Sequence, residues 1–341
     1  MAKITLLDCT LRDGGYHNNW DFSDKFVEQY LAVMSGCGVD IVELGYRDAN
    51  PDNRRGRFAN CSDEFLAGLP LPAGLTYAVM LDAKQVVSST QALDEFMCRC
   101  IKPASESVVD LMRVAINYKE VSKVSPLIRR LAAQGYRVAL NLMQVTNGVL
   151  AELSHSLLEL EELELVESVY FADSFGCMTP LDIPKVVASI RKGWQGEIGF
   201  HGHDNKGLAL LNALEATNTG ITWIDSTVNG MGRGAGNVTT ESLLNALYYE
   251  RYKAHHGHMN QLIACHIEPL MEKYKWGTNL FYYIAAEKKI HPMYIQVLIA
   301  NKHLDRMALL AVLDELAQHD ASRFRADVLD MCLEASVAEP A

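Results

Sequence analysis

The chain has no apolar run near the ~20 residues needed to span a bilayer, so a helical membrane protein is excluded. It lacks a basic excess: 31 Lys and Arg stand against 42 Asp and Glu, for a net charge of −11 and a pI near 5.5. That balance argues against a nucleic-acid binder, which needs a basic face to neutralise phosphates. None of its eight cysteines forms a Cys-x-x-Cys pair, so a structural zinc knuckle is not expected. Cysteines scattered through apolar segments read as reduced core thiols of a cytoplasmic protein. The opening Met-Ala-Lys-Ile-Thr runs straight into an apolar stretch and leaves no room for a signal peptide. No Gly-x-Gly-x-x-Gly follows that stretch to mark a dinucleotide site. There is no short repeat or low-complexity tract, and acidic 159–167 reads as a solvated helix face.

What is present is a globular composition, 49% hydrophobic and 21% charged over 341 residues. That length suits one large domain with an appendage, or two ordinary ones. After the first apolar run at Ile4, further runs lie at 39–44, 75–81, 108–114, 136–142, 168–172, 197–201 and 221–226. These eight candidate strands recur at roughly the length of a βα unit. Between them, 24–34 (after Ser23), 121–134 (before Gly135), 154–165, 184–192 and 208–217 read as amphipathic helices. Strands buried on both faces and alternating with helices predict an α/β fold, a closed (β/α)8 TIM barrel, with an open doubly wound sheet as the alternative. Past residue 250 only helical patterns remain, at 255–275, 282–289, 292–298, 304–318 and 326–334. The expected organisation is therefore a barrel over 1–250 and a helical region over 251–341. A homo-oligomer is expected, with Leu309, Leu310 and Leu313 either forming a dimer interface or sealing the barrel bottom.

A barrel of this kind builds its active site at the C-terminal ends of its strands. The polar residues gather there. Arg12 and Asp13 follow the first strand at Arg-Asp-Gly-Gly, where two glycines allow a sharp turn. Glu43 closes the second, Arg113 and Asn141 sit late in the fourth and fifth, and Asp173 and Ser174 follow the sixth. Asp225 and Asn229 accompany the eighth. A lone charge in an apolar strand is costly unless paired, so this collection reads as a polar pocket. Arg113, Asn141, Asp173 and Ser174 are its expected substrate-binding members.

His201-Gly202-His203 is the sharper signal, since residues two apart in an extended segment share a face. Two imidazoles plus a carboxylate such as Asp13 suit Zn²⁺, Mn²⁺ or Co²⁺, and added oxygen ligands favour Mn²⁺ or Mg²⁺. The His255-His256-Gly257-His258 run imitates a metal cluster but lies in the helical tail. The run Gly230-Met231-Gly232-Arg233-Gly234-Ala235-Gly236-Asn237 either cradles an anion with backbone amides or lets a loop fold over the barrel mouth. Asn237 would then add an oxygen ligand or open the next helix.

Leu-Arg-Asp-Gly, His-Gly-His-Asp-Asn and Gly-x-Gly-x-Gly-Ala-Gly-Asn, in this order over residues 3–250, together resemble the DRE-TIM metallolyase superfamily. The superfamily includes hydroxymethylglutaryl-CoA lyase, isopropylmalate and homocitrate synthases, and 4-hydroxy-2-oxovalerate aldolase. The resemblance implies a divalent metal, with Mn²⁺ favoured over Mg²⁺, Co²⁺ or Zn²⁺, held by Asp13, His201 and His203 with Asn237 as a fourth ligand. It implies Arg12 as the cation that steadies an enolate and Glu43 as the acidic end of strand two. The short tail is most similar to the aldolase branch, which carries a tyrosine over the site where this chain has Tyr282-Tyr283, with Tyr283 the expected catalytic residue. The branch places a histidine two residues beyond Asp-Gly, whereas this chain has Tyr16 there and His17 next, leaving both as candidate bases.

The activity implied is cleavage of a small 4-hydroxy-2-oxo acid to pyruvate and an aldehyde, with an aldehyde dehydrogenase as partner. A Claisen-type acyltransferase using acetyl-CoA, a metal-dependent sugar isomerase and a non-catalytic metal-binding barrel are the rival readings. No nucleic-acid or membrane partner is expected.

Overall fold

A computed structural model describes residues 3–145, 150–161 and 164–338. The acidic 159–167 stretch falls partly outside them. Eight strands form the barrel: β1 (Thr5–Asp8), β2 (Ile41–Tyr46), β3 (Thr76–Asp82), β4 (Leu111–Asn117), β5 (Arg137–Met143), β6 (Ser168–Asp173), β7 (Glu197–Gly202) and β8 (Trp223–Ser226). Each pairs in parallel with the next, and β8 returns to β1 to close the barrel. The TIM-barrel expectation holds, and the open sheet is set aside.

Strand pleating sorts the residues into layers. Outward positions such as Leu6, Val42, Val114, Leu140 and Phe200 pack beneath the helices in one large core. Inward positions Leu7, Ile41, Ala78, Leu111, Ala139, Tyr170 and Trp223 form a separate apolar layer inside the barrel. Two residues further along their strands stand Glu43, Arg113, Asn141 and Asp225, with His201 beside them. The polar site rests on this apolar plug.

Outside run Asp24–Cys37, Thr90–Cys100, Ser125–Ala133, Leu150–Glu161, Ile183–Gly193, Ala209–Asn218 and Thr240–Tyr252. The first opens as expected, with the Ser23 side chain accepting from the Phe26 amide, but runs past Met34 to Cys37, where Gly38 ends it in the left-handed conformation. The helices at Thr90–Cys100 and Thr240–Tyr252 were not anticipated by the sequence pattern. Between β2 and β3 there are only a single 3-10 turn, Arg57–Ala59, and the short Asp63–Ala67 helix.

Two local expectations are corrected. β4 starts at Leu111, so Arg113 is its third residue and not a late one. An apolar run is legible in sequence, but its register is set by pairing, here Ala78 with Leu111. Residues 10–18 form two single helical turns, Thr10–Asp13 and Gly15–Asn18, in place of a sharp turn, and Gly14 is right-handed at φ −66°. The glycines are needed for space: a Cβ on Gly15 would lie 2.1 Å from Cδ1 of Trp20, and one on Gly14 2.4 Å from the Thr10 carbonyl.

The C-terminal helices divide between two cores. Met259, Leu262, Ile267 and Trp276 pack into the barrel core. Leu280–Glu287, Pro292–Ala300, Arg306–Leu316 and Ala326–Ala338 form a second core that includes Phe281, Tyr294, Leu298 and Cys332. Leu309 and Leu313 are buried in this second core, with Leu310 against it. They neither seal the barrel bottom nor stand free for a dimer, because the neighbouring helices already cover them. Among the described residues, no helix is long and apolar enough to cross a membrane.

Candidate active site

The mouth of the barrel opens into a cavity of about 470 Å³. Arg12, Asp13, His201 and His203 line its inner end, and Asn141, Ser174 and Arg233 its wall. Asp13 ends the first helical turn after β1, His201 lies within β7, and His203 follows it. The glycine-rich loop after β8 brings Asn237 opposite His203 through an isolated bridge. Ligand atoms of Asp13, His201 and His203 lie within 4.8 Å of one another, and all three residues are buried.

Charge pairing holds this group in place. Arg12 donates from Nε to Glu43 (2.7 Å) and from Nη1 to Asp13 (2.7 Å). Arg113, fully buried, lies 3.0 Å from Glu43 and 2.7 Å from Asp225, donates to Asn141 at 3.1 Å, and stacks over the Tyr170 ring at 4.4 Å. Asp225 accepts from Nδ1 of His201 at 2.8 Å, which turns Nε2 toward Asp13 at 3.6 Å. The chain of contacts Asp13–Arg12–Glu43–Arg113–Asp225–His201 thus closes on itself.

These pairings set the protonation states. Burial pushes the Asp13 carboxyl up, but Arg12 and the two histidines outweigh it and hold Asp13 well below the usual carboxylate range. Burial and the nearby Arg233 guanidinium push His203 well below the ordinary histidine value, so it is a neutral imidazole with a lone pair to give. A divalent cation fits this set: an ionised carboxylate and two imidazoles, with the Asn237 side-chain oxygen buried and unpartnered among the described residues. Asn237 also donates from Nδ2 to Asp13 at 2.5 Å. The second grouping, Cys9 with His201 and Asp225, fits poorly. Burial raises the Cys9 thiol, which donates to the Ser226 carbonyl, and Asp225 is committed to Arg113. The His255–His258 run forms no such grouping among the described residues.

Not every expected residue reaches the cavity. Glu43 is sealed behind Arg12, and Arg113 is fully buried against Glu43 and Asp225, so both contact other side chains and not the open space. Asp173 is fully buried and accepts from the amides of Cys177 and Met178, and burial raises its carboxyl to about 6. Tyr283 is 43% exposed, with its ring beneath Lys206. Asn229 turns toward Met271.

The two candidate bases separate. The Tyr16 hydroxyl hydrogen-bonds Tyr46 at 3.0 Å, and both rings line the cavity. His17 points beneath the glycine loop, where Nε2 donates to the Gly232 carbonyl at 2.7 Å and the ring packs against Trp276. Burial lowers the His17 pKa, against the opposing effect of that bond.

Two participants, Arg233 and Trp20, and the role of a third, Asp225, escaped the sequence reading. Arg233 reaches His203 at 3.4 Å and the Ser174 carbonyl at 3.3 Å. It is the only charge in the glycine run, which was the available signal. Asp225 as the partner of His201 was visible as a charge within an apolar strand. Trp20, whose indole donates to the Arg12 carbonyl at 2.8 Å, carried no signal.

Comparison with known proteins agrees with this geometry. The family model described as HMGL-like matches residues 3–266. A 4-hydroxy-2-oxovalerate aldolase of Pelotomaculum thermopropionicum is 28% identical over 255 residues, 74% of this chain and 72% of that protein. An oxaloacetate decarboxylase of Mycobacterium tuberculosis is 27% identical, over 71% and 69% of the two chains. Among solved structures, the N-terminal domain of a candidate aldolase from Bacteroides vulgatus superposes with a TM-score of 0.73 at 32% identity, covering 88% of this chain and 98% of that one. An HMG-CoA lyase from Bacillus subtilis, at 16% identity and a TM-score of 0.61, covers 84% and 99% and shares the fold. With three motifs in order, a closed barrel and a match across most of its length, the chain belongs to the HMGL-like family, the DRE-TIM metallolyases.

Proposed function

We propose that this chain is a divalent-metal-dependent aldolase that cleaves a 4-hydroxy-2-oxo acid to pyruvate and an aldehyde. The observation that carries the reading is the convergence of Asp13, His201 and His203 beside Arg12 at the closed end of the cavity. Asp13, His201 and His203 would hold the cation, with Asn237 as a further oxygen ligand. When bound, a divalent cation supplies Lewis-acid polarisation of the substrate's 2-oxo group.

The protein's own groups do the rest. Two of the three Arg12 nitrogens are tied to Glu43 and Asp13, which aims the guanidinium rigidly at the oxygen where enolate charge develops. Tyr16 is the candidate base that faces the cavity. Acting in its ionised form, it takes the proton from the 4-hydroxyl and becomes the neutral phenol, the C3–C4 bond breaks, the aldehyde departs, and the electron pair moves through C2 to the enolate oxygen. Protonation at C3 completes pyruvate. Asn141 and Ser174 line the wall against which the substrate is oriented. An aldehyde dehydrogenase would consume the aldehyde.

The test is elemental analysis of the purified chain followed by a pyruvate-release assay on a panel of 4-hydroxy-2-oxo acids with and without Mn²⁺. About one metal per chain, lost in His201→Ala, with metal-dependent pyruvate release supports the proposal. No turnover on any member defeats it. The similarity to an oxaloacetate decarboxylase favours a second reading, in which the same enolate arises by loss of CO₂. CO₂ release from oxaloacetate without aldehyde release from the panel selects that alternative.

A further inference from the structure

The cavity is larger than a three-carbon acid requires, and at about 470 Å³ it lies in the range of sites that enclose much bigger ligands. Its outer half is formed by Asn19, Trp20, Asp48, Arg55 and Gln85. The loop that carries Arg55 reads Asp52-Asn53-Arg54-Arg55-Gly56-Arg57, three arginines in four residues. Arg54 pairs with Asp52 at 2.8 Å, and Arg57 pairs with Asp24. Arg55 has no such partner among the described residues. Its guanidinium lies 5.3 Å from the centroid of the Trp20 ring, at the cavity wall.

The other charged side chains of the cavity wall already make hydrogen bonds. Arg12, Arg47 and Arg233 all donate to protein acceptors, Arg47 through a two-pronged pair with Asp63. The carboxylates of Asp48 and Asp82 accept from the amides of Asn50 and Lys84. Among the cavity's arginines, Arg55 is the one whose side chain makes no hydrogen bond or ion pair among the described residues.

Its position is built into the backbone. The Gly56 amide donates to the Asn19 carbonyl at 2.8 Å, and the Asn19 side chain donates to the Arg54 carbonyl at 2.9 Å. A Cβ on Gly56 would fall 2.1 Å from the Trp20 carbonyl oxygen, so the loop lies directly on the turn that follows Arg12. In that turn Asn19 and Trp20 are both left-handed, at φ 59° and 57°, a conformation uncommon outside glycine. Such local strain concentrates at ligand clamps.

We infer that Arg55, stacked on Trp20, seats an anionic group, a carboxylate or a phosphate monoester, carried at the far end of the aldehyde half of the substrate. The assignment of that half rests on the aldolase reading; the anion seat does not. A charged hydrogen bond made only by the anionic substrate is worth roughly 10- to 100-fold in kcat/KM.

The experiment compares three six-carbon 4-hydroxy-2-oxo acids of one chain length, ending at C6 in a hydroxyl, a carboxylate or a phosphate. The expected result is a kcat/KM at least roughly tenfold higher for an anionic end. Arg55→Gln abolishes that preference and leaves the hydroxyl-ended substrate unchanged. The faster of the two anionic substrates identifies the group. Equal values for all three, or a preference that survives in Arg55→Gln, overturns the inference. Calorimetric titration of the full chain with inorganic phosphate separates this failure from failure of the aldolase reading. If no substrate releases pyruvate, several-fold weaker phosphate binding by Arg55→Gln still supports the seat, and unchanged binding rejects it.

Discussion

Asp225 accepts from Nδ1 of His201 at 2.8 Å, and the same carboxylate oxygen lies 2.7 Å from Arg113. The carboxylate therefore fixes the tautomer of the His201 imidazole, a proposed metal ligand, and neutralises a guanidinium sealed inside the barrel. Burial raises Asp225, and Arg113 and His201 bring it below the ordinary carboxylate value.

Asp225→Asn should weaken metal binding by about 10- to 100-fold, because the His201 ring loses the anionic acceptor that orients it. Competition with a chelator measures this. An unchanged affinity would show that His201 is oriented by packing alone.

Arg12→Lys keeps a positive charge but loses the fork that binds Glu43 and Asp13 together. Pyruvate release should fall by roughly 10²-fold or more while metal content is retained. Loss of metal in this variant would make Arg12 structural.

Tyr16→Phe removes the hydroxyl that faces the cavity, and kcat should drop by about 10²- to 10⁴-fold. His17→Asn, beneath the loop, should leave kcat within a few-fold of the parent. The reverse pattern in steady-state rates would reassign the base to His17.

Gly15→Ala forces a methyl group against the Trp20 ring. A destabilisation of about 1–3 kcal/mol is expected in urea unfolding. No loss would mean that Trp20 has room to move.

Burial, with Arg233 nearby, lowers His291 from 6.5 to about 3. The unfolded chain therefore binds the extra proton between these values. The corresponding stability is complete above about pH 6.5 and is lost as pH falls toward 3, with a slope of up to ~1.4 kcal/mol per pH unit. His291→Asn keeps an acceptor for the Met293 amide and should flatten melting temperature against pH between 6.5 and 4. Parallel profiles for the two proteins would locate the acid sensitivity elsewhere.

The strand count, and with it the barrel, was legible because it depends on local pattern, and the convergence of Asp13 with His201 and His203 followed from the strand ends of a closed barrel meeting at one mouth. Apolar runs of strand length and residues spaced two apart on a strand carry their geometry with them. Depth was not legible. Arg113 and Asn141 both read as polar residues in apolar strands, yet one is locked against the Tyr170 ring and the other reaches the cavity wall. Strand register decides this, and register depends on a neighbour far away in the chain. Tyr283 failed similarly: one helical position places Tyr282 in the second core and Tyr283 outside, beneath Lys206.

By itself, the sequence determined the eight strands, the order of the three motifs and the presence in them of side chains able to ligate a metal. Only the tertiary structure decided which of Tyr16 and His17 faces the cavity, since adjacent residues on a helical turn point about 100° apart. It also decided that Asp225 orients His201 and that Arg55 lines the outer cavity. Those relations join residues that are distant in sequence, and only the closure of the barrel and the packing of its loops bring them together.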